Sequence, residues 1–186
     1  MFKIHKRYEK PVSILIFIVS LVISFGVLFI PPDAQQLAAY GYGSIFLITL
    51  LGALSIFIPG PTMVAAFVIG SVLNPLIVSL VAGLGSAIGE TTGYTVGYAS
   101  RVWIQEKDDN NAWYWKIFRW MTTRPFLTIF ILAAIPNFLT DLSGLIAGRI
   151  EYSYPKFLLA TFLGKTIRFG LSAYLGANFG GFFLRH

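Results

Sequence analysis

Apolar residues come in blocks along this chain, and the block lengths differ in a way that matters. A membrane-crossing helix needs about 20 apolar residues. Residues 12–30 and 76–98 meet that length, and residues 157–179 do so with two interruptions, Lys165 and Arg168. Residues 42–58 are marginal, while residues 63–73, 125–135 and 138–147 are too short. The short blocks come in pairs, each joined at a proline break: Ile58-Pro59-Gly60-Pro61 first, and Ile135-Pro136-Asn137 77 residues later. Proline removes a backbone donor and stops a helix, so each pair reads as a hairpin that enters the membrane, turns and leaves by the same face. The expected fold is an all-α polytopic membrane protein with two opposed re-entrant hairpins and about three full transmembrane helices. Interrupted segments at matching places in two halves also point to an inverted repeat with a transport site near the bilayer midplane.

This layout divides the chain into residues 1–34, a basic N-terminus with the first transmembrane helix, and a core over residues 35–186. Within the core, repeat one covers about 43–100, a polar segment 101–124, and repeat two about 125–183. The distribution of Lys and Arg tests the layout. With the N-terminus in the cytoplasm and both hairpins re-entrant, eleven Lys and Arg residues fall on the cytoplasmic side and one, Arg185, outside. That is the bias the positive-inside rule asks for. Making just one hairpin a full crossing would swap the side of everything after it. Trp113, Tyr114, Trp115, Phe118 and Trp120 alternate with Lys116 and Arg119 in the cytoplasmic segment, which predicts a helix lying at the headgroup level.

Composition agrees. The chain is 56% hydrophobic and 12% charged, with mean hydropathy +0.72, against about 25% charged in a soluble domain. There is no cysteine, and both histidines, His5 and His186, sit near the ends. Disulfides, thiol nucleophiles, cysteine metal sites and a buried His-based triad or zinc site are therefore not expected. Lys3, Lys6, Arg7 and Lys10 precede the first run; its length exceeds the about 7–15 apolar residues of a signal peptide, and it reads as a retained helix.

The candidate chemistry lies in two small triplets that follow the breaks, Gly89-Glu90-Thr91 and Gly164-Lys165-Thr166. Glu90 is the only charge in its span, and a charge at mid-membrane costs roughly 2.5–3.5 kcal/mol and needs a partner. Lys165 and Arg168 are three residues apart, share a helix face and lie at similar depth. Glu90 is expected to pair with one of them, either as a structural bridge or as part of a site for an anionic headgroup or a proton. One acid cannot neutralise two bases, and the spare positive charge favours function. Gly85, Gly89, Gly93 and Gly97 recur every four residues and predict a stripe of close helix packing beside Glu90. Asp141 follows the second break as an acid in an apolar segment and is a second candidate partner for the bases. Asn137 or Thr140 can cap the restarted helix or, for Asn137, line the site. Gly164-Lys165-Thr166 is not the end of a phosphate-binding loop, because Leu159 stands where that motif needs glycine.

Together these residues resemble the DedA / VTT-domain superfamily of membrane proteins (SNARE-associated, TVP38-like). The resemblance rests on Ile58-Pro59-Gly60-Pro61, Gly70 and the run from Gly83 through Glu90 to Gly97. It rests further on Ile135-Pro136-Asn137, Asp141, Gly144, Ala147-Gly148, Phe157 and Gly164-Lys165-Thr166, over roughly residues 40–175. It implies an inverted-repeat core with two facing re-entrant hairpins. It also implies lipid handling: translocation of undecaprenyl phosphate in bacterial members, phospholipid scrambling in eukaryotic ones. Many bacterial relatives carry an acid just after the first Pro-Gly, where Pro61-Thr62 stand here, and arginines beside the second break, where Ala133, Ala134 and Asp141 lie. Their arginine-based phosphate contact and acid-based proton coupling therefore do not transfer whole, and Lys165 and Arg168 are expected to supply the positive charge instead.

The expected function is translocation of an anionic lipid, such as undecaprenyl phosphate or a glycerophospholipid, without an enzymatic step. Glu90, Lys165, Arg168, Asp141 and Asn137 are the expected contacts, Pro59, Gly60, Pro61 and Pro136 the loop breaks. Membrane lipids are the expected partners, with a homo-oligomer left open; no nucleic acid, metal or cofactor is expected. The expected location is the plasma membrane. The alternatives are a proton- or cation-coupled transporter of a small solute, titrating Glu90 and Asp141, and a non-transporting membrane scaffold.

Overall fold

The computed structural model describes residues 34–54, 61–100, 112–135 and 139–183. The expected first helix at residues 12–30, and Pro59, Gly60, Pro136 and Asn137, lie outside the described residues. Among those described, all regular structure is helical: α1 (Ala34–Leu54), α2 (Pro61–Gly70), α3 (Pro75–Gly89), α4 (Thr91–Ser100), α5 (Ala112–Thr123), α6 (Pro125–Ala134), α7 (Leu139–Arg149) and α8 (Tyr154–Phe183).

Local chemistry explains several boundaries. Asn74 Oδ1 accepts hydrogen bonds from the amides of Leu76 (3.0 Å) and Ile77 (3.4 Å), and Pro75 occupies the first helical position, where its missing N–H costs nothing. Pro61 and Pro125 likewise open α2 and α6. α1 bends at Gly41, where φ is 56° and ψ −153°, a conformation that favours glycine. α3 and α4 are nearly continuous: the Glu90 amide donates to Ser86 O at 3.1 Å and the Tyr94 amide to Glu90 O at 3.2 Å.

Residues Pro75–Ala99, 25 in all, form the one helix among the described residues that is long and apolar enough to cross a membrane. α8 has 30 residues, which span about 45 Å, but Lys165 and Arg168 dilute its apolar character. Of the expected full-length spans, the structure thus shows one by both length and composition, one by length alone, and leaves the first outside the described residues. The apolar segments Tyr40–Ala53 and Pro125–Ala134 are shorter, as their sequence blocks predicted.

Packing follows a repeated rule. α3 and α8 lie against each other. α1 packs on α3 of its own half, and α6 packs on α8 of its own half. The next helix of each half crosses over: α2 packs on α8, and α7 packs on α4. Two apolar clusters result. Ile45, Ile69, Val78 and Phe169 anchor one; Met121, Ile129, Ile146 and Phe157 anchor the other.

The surface is apolar where a soluble protein's is polar. Leu76, Leu80, Leu84 and Ile88 form an exposed row on α3, and Leu159, Leu163, Ile167, Leu171 and Leu175 form one on α8. Residues four apart share a helix face, so each row is a continuous apolar stripe. Glu90, Lys165 and Arg168 are buried instead. Apolar residues outside and charges inside suit hydrocarbon as the solvent.

Candidate functional site

The site lies where α3 ends and α4 begins, against the middle of α8. Glu90 sits at the loosened junction of α3 and α4 with αR backbone angles. Its side chain is 3% exposed, and its Oε1 meets Lys165 Nζ at 2.5 Å. Of the two partners the sequence offered, the structure selects Lys165. Arg168 lies one turn further along α8, also buried, and makes interactions of its own. Glu90 Oε2 is buried with no hydrogen-bond partner among the described residues, as is the hydroxyl of Thr161. Thr161 lies four residues before Lys165 and so on the same face of α8.

Glycines bring the helices to this point. A Cβ on Gly89, just before Glu90, would meet Ala53 Cβ at 2.6 Å and Leu50 O at 2.7 Å on α1. A Cβ on Gly164, just before Lys165, would meet Ala133 Cβ and Phe130 O on α6, both at 2.6 Å. In each half, then, the glycine preceding the charge is where the half's first helix closes onto its long one.

The expected glycine stripe is divided rather than single. Gly85 and Gly89 face α1, whereas Gly97 faces Leu145 O on α7, and Gly93 is buried near Gly144 of α7. The stripe drifts around the helix because four residues advance it by about 400°, and two partners share it. The crossed contacts are equally tight. Gly148 lies under Tyr94 O and Tyr98 N, and Gly176 under Phe67 O. A Cβ on Gly70 would meet Ala173 O at 2.5 Å.

A tyrosine clasp, absent from the sequence reading, fixes the start of α8 against α4. The Tyr94 hydroxyl donates to Tyr152 O at 2.6 Å, and the hydroxyls of Thr91 and Tyr154 are 3.0 Å apart. The Tyr94 ring contacts the Tyr154 and Phe157 rings, with centroids at 5.4 and 5.1 Å. Burial pushes the Tyr152 phenol above its ordinary value, so it stays neutral. On the other side, the Ser172 hydroxyl donates to Met63 O at 2.6 Å and ties α8 to α2.

Asp141 lies on α7, but its side chain is outside the description, as is that of Pro61. Thr140 falls inside α7 rather than at its cap. The structure thus brings Glu90 and Lys165 together and buries Arg168 one turn away.

The VTT domain profile matches residues 58–178. The chain belongs to the VTT domain family. The matched VTT domain contains the charge pair, both break regions and the crossed helix packing. Two curated relatives, both of Arabidopsis thaliana, share shorter segments. Vacuole membrane protein KMS2 is 50% identical over 42 residues, 23% of this chain and 10% of that protein. Vacuole membrane protein KMS1 is 38% identical over 56 residues, 28% of this chain and 14% of that protein. The chain therefore matches only a tenth to a seventh of these relatives' length. No solved structure is a significant match. With the inside-out distribution of charge, the match makes this a VTT-domain membrane protein.

Proposed function

We propose that this VTT-domain protein moves an anionic lipid, a polyprenyl phosphate or a glycerophospholipid, between membrane leaflets without an enzymatic step. The observation that carries the reading is the buried Glu90–Lys165 pair, with Arg168 one turn away, between the two halves of the chain. Three charged side chains are thus buried together within the helix bundle. Such charges are costly in hydrocarbon and are found where they face a polar path. An anionic headgroup would compete with Glu90 for Lys165, so the carboxylate holds the base in the empty state and limits trapping of the lipid. The tails would remain in the surrounding bilayer.

The crossed packing supports an inverted repeat in which α1–α2 and α6–α7 are re-entrant hairpins entering from opposite faces. In the plasma membrane with the N-terminus cytoplasmic, α1–α2 would enter from outside and α6–α7 from inside. The test is leaflet equilibration by purified protein in liposomes. If fluorescent glycerophospholipid and polyprenyl phosphate both stay in their original leaflet, the reading is wrong.

Glu90 Oε2, buried without a hydrogen-bond partner among the described residues, favours one alternative, coupling of transport to a proton or cation. Transport that needs a pH gradient, is lost in Glu90→Gln and persists in Lys165→Gln would replace lipid translocation with that reading.

A further inference from the structure

The elbow between α5 and α6 encloses a second site, distant in sequence from Glu90 and Lys165. A cavity of about 260 Å³ opens there. Leu127, Thr128, Ile131 and Leu132 line it from α6, Arg124 from the cap just before α6, and Trp120 and Thr123 from α5. The four α6 residues fall at relative positions 0, 1, 4 and 5, one stripe of a helix, about 7.5 Å long at 1.5 Å per residue, with Arg124 at its N-terminal end. The stripe is graded: a guanidinium at one end, then leucine and threonine, then isoleucine and leucine. A slot with a cation at one end and hydrocarbon at the other matches one class of ligand, an amphiphile with an anionic head.

α5 strengthens that match. Its buried face, led by Met121, packs into the second apolar cluster. Its other face exposes Arg119 and Trp120 beside Lys116, whose Nζ lies 5.4 Å from the Trp120 ring centroid. That distance is within cation–π range. Arg124 thus lines the cavity and Lys116 lies against its Trp120 wall, and residues 112–135 contain no Asp or Glu. Trp120 is 54% exposed, and an indole with an apolar body and an N–H edge is suited to the headgroup boundary. An acyl chain alone would be served by any apolar groove on this protein. Arg124 in the slot and Lys116 on its Trp120 wall select the headgroup.

We infer that the α5–α6 elbow binds an anionic glycerophospholipid of the adjacent leaflet, with its phosphate at Arg124 and Lys116 and an acyl chain along Leu127 and Ile131. This inference stands independently of translocation: it concerns occupancy at equilibrium, and a protein that moves no lipid can still hold one here.

The experiment uses the full chain with Trp103, Trp113 and Trp115 changed to Phe, so that Trp120 is the sole tryptophan. The protein is reconstituted in phosphatidylcholine vesicles containing a graded fraction of acyl-brominated phosphatidylglycerol or acyl-brominated phosphatidylcholine. Bromine on the chain quenches an indole it touches. The expected result is that phosphatidylglycerol occupies the site at least about fivefold more readily, the effect of roughly one cation at a membrane surface. Arg124→Gln should remove most of this preference, and Ile131→Phe, which fills the slot and keeps the charges, should reduce quenching by both lipids. Equal quenching by the two lipids in the Trp120-only protein overturns the inference whether or not either variant folds. A preference that survives Arg124→Gln, or quenching unchanged by Ile131→Phe, overturns it too.

Discussion

Replacing Glu90 with glutamine leaves the Lys165 ammonium, 7% exposed in its side chain, without its counter-charge. Two unit charges at 2.5 Å attract by about 7 kcal/mol at an effective dielectric constant near 20. Placing each charge at mid-membrane costs roughly 3 kcal/mol, so the intact pair comes close to breaking even. A single neutralisation removes all of the attraction and half of the cost, a loss of about 4 kcal/mol, within the ~3–5 kcal/mol found when one partner of a buried pair is removed. Removing both charges relieves both costs, so Glu90→Gln/Lys165→Gln should lose only about 1 kcal/mol by the same arithmetic. The double variant should therefore be more stable than either single one. Reversible unfolding in mixed detergent micelles, followed by circular dichroism, completes the double-mutant cycle. If the double variant loses the sum of the two single losses, the side chains are not coupled and the buried pair is not the organising contact described above.

Glycine variants separate close packing from helix propensity. Gly176→Ala drives a Cβ into Phe67 O and should destabilise by ~1–3 kcal/mol, whereas Gly43→Ala, with nothing within 4 Å of its Cβ, should raise stability by up to about 1 kcal/mol; the same unfolding assay reads both. Tyr94→Phe removes the hydrogen bond to Tyr152 O and should cost about 1 kcal/mol, seen as faster hydrogen exchange at the start of α8. The cysteine-free sequence makes topology directly readable: an impermeant maleimide should label Val72→Cys in intact cells and Ser153→Cys only after permeabilisation. Labelling of both from one side would show that a proposed re-entrant hairpin crosses fully.

Block lengths in the sequence anticipated the helices closely, because an apolar run ended by proline has little choice of boundary. The run at 63–73 became Pro61–Gly70, and that at 125–135 became Pro125–Ala134. The pairing of Glu90 with Lys165 was one of two options, since three residues on a helix separate Lys165 from Arg168 by little in angle or depth. The register of α3 on α8, where Gly83 lies against Thr166, decides which base meets the acid, and that register has no sequence signal. The crossed packing of α2 on α8 and α7 on α4 was not legible at all. It depends on small residues, such as Gly70 against Ala173 and Gly148 against Tyr98, whose partners lie far away in sequence. The tyrosine clasp was missed for the same reason: a tyrosine's partner is a backbone carbonyl, and carbonyls carry no sequence signal.

The central claim is that lipid passes by way of the buried charges. It is tested most directly by the rate at which a fluorescent anionic lipid equilibrates between leaflets of liposomes holding wild type or Glu90→Gln/Lys165→Gln. The account predicts rapid equilibration by wild type and a rate at least about tenfold lower, ~1.4 kcal/mol in barrier, for a double variant that remains folded. Wild type that leaves the lipid in place, or a folded double variant that moves it equally fast, would contradict it.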